Sequence, residues 1–157
     1  MKELIENVLE WSEAKGIHKH STALSQRLYA IGELTNEFRD AIAKGKSAEE
    51  IKTELGDVLV FYINYLHMSG DSVRHIVELF RKACDEYSHR AHSDIDSHVS
   101  SAVDSSKSPP WVLAHLATIA LGIDSTLEEC LQLAYDKISK RAGEMQNGKL
   151  VKEGDCD

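Results

Sequence analysis

Apolar residues recur at helical spacing almost from the first residue. Leu4, Ile5, Val8, Leu9 and Trp11 fall on one side of a short amphipathic helix, and Gly16 supplies its stop. Ser21 or Thr22 can cap a second, longer helix whose stripe is Leu24, Leu28, Ile31, Leu34, Phe38 and Ile42, ending at Gly45. Ser47 followed by Glu50 forms a capping box. It opens a third helix through Ile51, Leu55, Val58, Tyr62 and Leu66 to Gly70. A fourth runs from Ser72 through Val73, Ile76, Val77, Phe80 and Ala83 and loses its pattern near His89. Residues 88–108 are rich in Ser, Asp and His, yet Ile95, Val99 and Val103 keep an i, i+4, i+8 spacing that predicts a short helix. Pro109 and Pro110 break it and suit the first turn of the next helix, Trp111 to Leu121. A second capping box at Ser125 and Glu128 starts a last helix through Leu127, Leu131, Ala134, Ile138 and Ala142 to Gly143. The pattern predicts an all-α protein, an antiparallel bundle of five to six helices, with a loose polar tail over 144–157.

Composition sharpens this picture. The 157 residues suffice for one domain with a core, and only 9 Gly and 2 Pro punctuate them, which favours long helices over a turn-rich sheet. A net charge of -8 repels nucleic acid and anionic membranes. No window of 18 apolar residues occurs, and the amino terminus lacks the basic start and apolar run of a signal peptide. Cys84, Cys130 and Cys156 are odd in number and form no zinc pattern. These features predict a cytoplasmic protein without nucleic-acid or membrane partners.

The third helix carries the most informative polar residues. Glu54 and Asp57 are three apart and share a face, Glu54 bordering the apolar stripe and Asp57 at its margin. They precede VLVFYINYL, residues 58–66, which is apolar nearly all round and should be covered on most sides. Carboxylates at the mouth of such a segment need a cation or hydrogen-bond partners. Glu33 and Glu37 on the second helix align at i, i+4, so four carboxylates on two helices could meet around a hard divalent metal. Against this, periodicity turns Glu33 roughly opposite the centre of its own helix's apolar stripe, where a glutamate is ordinarily solvated.

Gly32-Glu33-Leu34, AIAKG at 41–45 and ELGDVLVFYINYLHMSG at 54–70 resemble the MazG-like nucleoside triphosphate pyrophosphohydrolases. The close, AYDKISKRAGEMQNGKLVKEGD from Ala134 to Asp155, resembles the end of phage-type members, and WSEAKGI at Trp11 their start. The likeness covers most of a single domain, 1–157, except residues 72–110, which read as an insertion. It implies an all-α fold, Mg²⁺ or Mn²⁺ held by acidic motifs of the form EExxE and ExxD, and cleavage of a (d)NTP to (d)NMP and pyrophosphate. It also implies a homodimer or homotetramer, for which the apolar face of Val58 to Leu66 would suit a partner. On this chain Glu54 and Asp57 match the second motif and Glu33 the last acid of the first, so these three are the candidate catalytic residues, with Glu37 added as a metal ligand. Tyr29 and Ala30 stand where the family has adjacent glutamates. That departure keeps a second possibility open: a catalytically degenerate MazG-like module that binds nucleotide or protein.

Lys137, Lys140 and Arg141 resemble the family's closing basic pattern. Lys137 and Arg141, placed on one helix face, are expected either to bind substrate phosphates or to complement the helix dipole. Asn64, inside an apolar run, is either a hydrogen-bond hub or a ligand contact. Trp11 reads as core or interface rather than as a platform for a base. His89, His92, Asp94, Asp96 and His98 crowd ten residues without a familiar ligand spacing, and read as a solvated polar connection.

Overall fold

The computed structural model describes residues 1–87, 94–141, 143–146 and 149–152. Its helices are α1 (Lys2–Ala14), α2 (Ile17–His20), α3 (Ala23–Gly32), α4 (Arg39–Ala43), α5 (Ala48–Met68), α6 (Val73–Tyr87), α7 (Ile95–Asp104), α8 (Pro109–Gly122) and α9 (Leu127–Ile138). A π-helical turn, Glu33–Phe38, joins α3 to α4 in one continuous rod, with helical dihedrals at Gly32 and Arg39. Gly143–Gln146 (β1) and Lys149–Lys152 (β2) pair as an antiparallel hairpin, Gly143 opposite Lys152, within the segment read from the sequence as a polar tail. With the four-residue α2 set aside and α3, the π turn and α4 counted as one rod, seven helices remain among the described residues, slightly more than the five or six expected. His89, His92 and Cys156 lie outside the described residues.

Local chemistry sets most boundaries. Thr22 caps α3, its side chain accepting from the Ser25 backbone N–H. Ser47 caps α5 by accepting from Glu50 N–H at 3.2 Å. The expected box at Ser125 and Glu128 is displaced by one residue: Thr126 is the cap and accepts from Glu129 N–H at 3.1 Å. Asp94 accepts from the Asp96 backbone N–H and starts α7, so one residue of the His/Asp-rich stretch serves as a helix cap. Gly16, at φ 79°, and Gly70, at φ 101°, make the turns that end α1 and α5.

The bundle is built around α5. Leu55, Val58, Leu59, Tyr62, Ile63 and Leu66 are buried, and α1, α3, the π turn, α6, α8 and α9 pack on its sides. The apolar segment 58–66 is therefore covered by helices of its own chain, which corrects the expectation that it faces a partner. Gly56 permits the closest of these contacts. A Cβ there would lie 2.0 Å from the Cys130 carbonyl oxygen and 2.7 Å from Ala134 Cβ, so α9 can rest on α5 only over a glycine.

The buried face of this rod matches the predicted stripe only in part. Leu34 and Phe38 are buried as expected, but Leu24, Leu28 and Ile42 are 55%, 54% and 37% exposed, and Gln26, Ala30 and Ala41 are buried instead. The π turn breaks the 3.6-residue period, so a single stripe cannot be continued from α3 into α4. The rod presents Gln26, Ala30, Leu34 and Phe38 to the core, and Glu33 flanks that face. Among the described residues no single helix is long and apolar enough to cross a membrane.

Candidate active site

Glu33 leaves the π turn while Glu54 and Asp57 leave the first half of α5, and these three partly buried carboxylates converge. One oxygen from each lies within 4.8 Å of the others. Three acids that close repel one another, and the protein answers with a proton and a lysine. Burial raises the Glu33 carboxyl to about 8 from its ordinary 4.5, and the charges of Asp57, Glu54 and Glu37 add to the shift. A protonated Glu33 donates a hydrogen bond to the Glu54 carboxylate. Burial also raises Glu54, helped by Asp57 and opposed by Lys137 and by that hydrogen bond. Asp57 is ion-paired with Lys137, whose Nζ donates to a carboxylate oxygen.

The other residues singled out from the sequence separate into two groups. Glu37 is exposed and near enough to raise Glu33 and Glu54, but lies outside the group of three within 4.8 Å. Lys137 belongs to the cluster by its contact with Asp57. Asn64 does not reach it. It is wholly buried, its amide nitrogen donating to Ser12 Oγ at 2.9 Å and to the Val60 carbonyl at 3.1 Å, while its oxygen meets His18 Nε2 at 2.7 Å. That amide is committed to joining α1, α2 and α5, which is the hub of the two readings. Arg141 lies past the end of α9, its N–H bonded to the Ile138 carbonyl at 2.9 Å, so it does not share a helix face with Lys137 as expected. Trp11 packs partly buried against the core.

Where the family's adjacent glutamates would stand, the surroundings are apolar. Tyr29 packs its ring on Phe61, centroids 5.6 Å apart. Ala30 is buried and lines a hollow of about 20 Å³ with Leu34, Val58, Tyr62 and Leu116. Two pairings escaped sequence reasoning. Lys137 meets Asp57 across 80 positions, a distance over which no periodicity speaks. His98 pairs not with its sequence neighbours but with His115, Nδ1 to Nδ1 at 3.0 Å, and burial together with His98 lowers the His115 pKa.

Three carboxylates from two rigid helices, one of them holding a proton because it is buried and its neighbours crowd it, are a donor set suited to a hard divalent cation such as Mg²⁺, which takes oxygen ligands and keeps several waters. Residues 21–93 match the MazG nucleotide pyrophosphohydrolase domain. The matched stretch contains Glu33, Glu37, Glu54 and Asp57 and runs through α6. The all-α bundle is consistent with that MazG-like match. No curated protein and no solved structure matches the chain.

Proposed function

We propose that this MazG-like chain is a Mg²⁺-dependent pyrophosphohydrolase that cleaves a (d)NTP to (d)NMP and pyrophosphate, with Mn²⁺ able to replace Mg²⁺. The observation that carries the reading is the convergence of Glu33, Glu54 and Asp57 within 4.8 Å. Glu33, Glu54 and Asp57 would hold the ion, with exposed Glu37 at the rim as a supplementary ligand. When bound, the metal supplies charge neutralisation for the triphosphate and a positioned water. The chain's own part begins with Glu33, which must surrender its proton before it can act as a ligand. Glu54, hydrogen-bonded to Glu33, fixes the geometry of that side, and the buried half of α5 keeps bulk water from the inner face of the site. Lys137, and Arg141 beyond the helix end, are the cations available for phosphate.

The exposed Leu24, Leu28 and Ile42 support a homodimer or homotetramer, and the net charge of -8 supports an enzyme of the cytoplasm that avoids nucleic acid and membranes. One observation favours a second reading, a degenerate binding module: Ala30 sits in an apolar hollow where the family carries an acid.

Pyrophosphate release from a panel of ribo- and deoxynucleoside triphosphates separates the two. Turnover should require Mg²⁺, stop with EDTA, and fall by more than roughly a hundredfold in a Glu54→Ala, Asp57→Ala protein, given what removal of one transition-state contact costs. A folded chain that binds nucleotide without metal and turns over none of the panel would establish the module instead.

A further inference from the structure

We propose that Lys137 is the resident counter-ion of the acidic cluster, a charge that a divalent cation displaces from Asp57 and thereby makes available to an anionic substrate. The proposal rests on the metal-binding reading above. Lys137 is brought to Asp57 by packing rather than by a chance swing of a surface side chain. Gly56 allows the backbone of α9 to settle against α5 at Cys130 and Ala134, and Lys137 follows Ala134 by three residues, on the same side of α9. Its ammonium then meets the carboxylate next to Gly56. Asp57 is only 14% exposed, so this contact lies inside the site, while the lysine is 33% exposed and retains a route to solvent.

The competition is electrostatic. A divalent ion on Asp57 would leave the ammonium a few ångströms from a doubled positive charge, in a setting less screened than water. The carboxylate can serve one cation or the other at full strength. Lysine suits such an exchange because it is a point charge on a flexible four-carbon stem and loses no fixed fork geometry when it leaves. Without metal, Lys137 offsets the repulsion among Glu33, Glu54 and Asp57. With metal, the released ammonium stands beside the site with its charge uncompensated, where triphosphate oxygens can take it. Metal and substrate are thus coupled through one side chain.

The test is Mn²⁺ binding to the full chain at pH 8, read from the EPR signal of free Mn²⁺, without nucleotide. Lys137→Met should bind Mn²⁺ roughly five- to tenfold more tightly than wild type, the ordinary scale of coupling between two sites. Lys140→Met removes the same charge from an exposed position three residues on and should change binding less than about twofold, which distinguishes displacement from a general change of field. Lys137→Arg, which keeps the charge, should stay near wild type. In wild-type protein labelled with ¹³C-lysine, the Lys137 ε-carbon signal, assigned by its loss in Lys137→Arg, should move as Mg²⁺ saturates the site. That measurement stands even if Lys137→Met does not fold. Binding unchanged or weakened in folded Lys137→Met, or an ε-carbon signal that does not move, overturns the proposal alone. Absence of saturable Mn²⁺ binding from wild type and variants overturns the metal-site reading and this proposal with it.

Discussion

At the residue scale, the site is a set of charges that the fold tolerates rather than welcomes. Glu33 holds its proton up to about pH 8 in the folded chain, whereas an unfolded glutamate releases it near 4.5. Between those values the folded state binds more protons than the unfolded state, so this residue makes the metal-free protein lose stability as pH rises from about 4.5 to about 8. Metal binding runs the other way, because the ligand must be deprotonated and affinity climbs over the same interval. Melts without metal should therefore fall from pH 5 to pH 8.5, and Mg²⁺ should raise the melting temperature more at pH 8.5 than at pH 6. Glu33→Gln should flatten the metal-free profile, and a profile equally steep in that variant would place the titration elsewhere. Glu54 and Asp57 were legible as a pair because spacing of three on one helix is a strong statement about shared faces. Glu33 was legible from its i, i+4 spacing with Glu37 as one of a possible set of four acids, but the apolar stripe pointed it away from the core, and the resemblance weighed in its favour. Lys137 was legible as a cation but not as the partner of Asp57, because the contact is made by tertiary packing.

At the element scale, the two rods that hold the acids obey different rules. α5 follows its sequence pattern closely: Ser47 starts it, Gly70 stops it, and the apolar run between is buried as a nearly all-apolar helix should be. The rod formed by α3, the π turn and α4 does so only in part: Leu34 and Phe38 are buried as expected, while Leu24, Leu28 and Ile42 remain outside, since one 3.6-residue stripe cannot be continued across a π turn. Two glycines in these rods give opposite expectations. Gly32 has nothing within 4 Å of a would-be Cβ and has helical dihedrals, so Gly32→Ala should stabilise by about 0.5–1 kcal/mol through helix propensity. Gly56→Ala would drive a methyl into the Cys130 carbonyl and should cost about 3 kcal/mol or more as α9 is pushed from α5. Urea unfolding of both variants checks the pair. A Gly56→Ala protein as stable as wild type would mean that α9 is not seated on α5 as described, and the approach of Lys137 to Asp57 would lose its cause.

At the scale of the whole molecule, what the bundle leaves uncovered matters as much as what it buries. Most large apolar side chains are enclosed, so the exposure of Leu24 and Leu28 at more than half of their surface, with Ile42 further along the same rod, is out of character for a chain that stands alone. Among the described residues none encloses them, since the face of the rod toward α5 is already taken by Gln26, Ala30, Leu34 and Phe38. A second copy would cover them symmetrically, rod against rod. The net charge of -8 opposes that approach, so the proposed association should strengthen when salt screens the repulsion. Sedimentation equilibrium at micromolar concentration should give a dimer or tetramer, more fully formed at 0.5 M than at 0.05 M NaCl. Leu24→Glu with Leu28→Glu should yield monomers. Because both side chains lie off the core, a monomeric double variant should keep the helical content of the parent, and its intrinsic stability should shift by only about 0.5 kcal/mol per site once the loss of association is allowed for. A double variant that still self-associates would move the interface to another face. A wild-type monomer at every salt concentration would mean that the exposed leucines serve some surface other than a second copy, and it would leave the acidic site, which lies along the other side of the same rod, to work in a single chain.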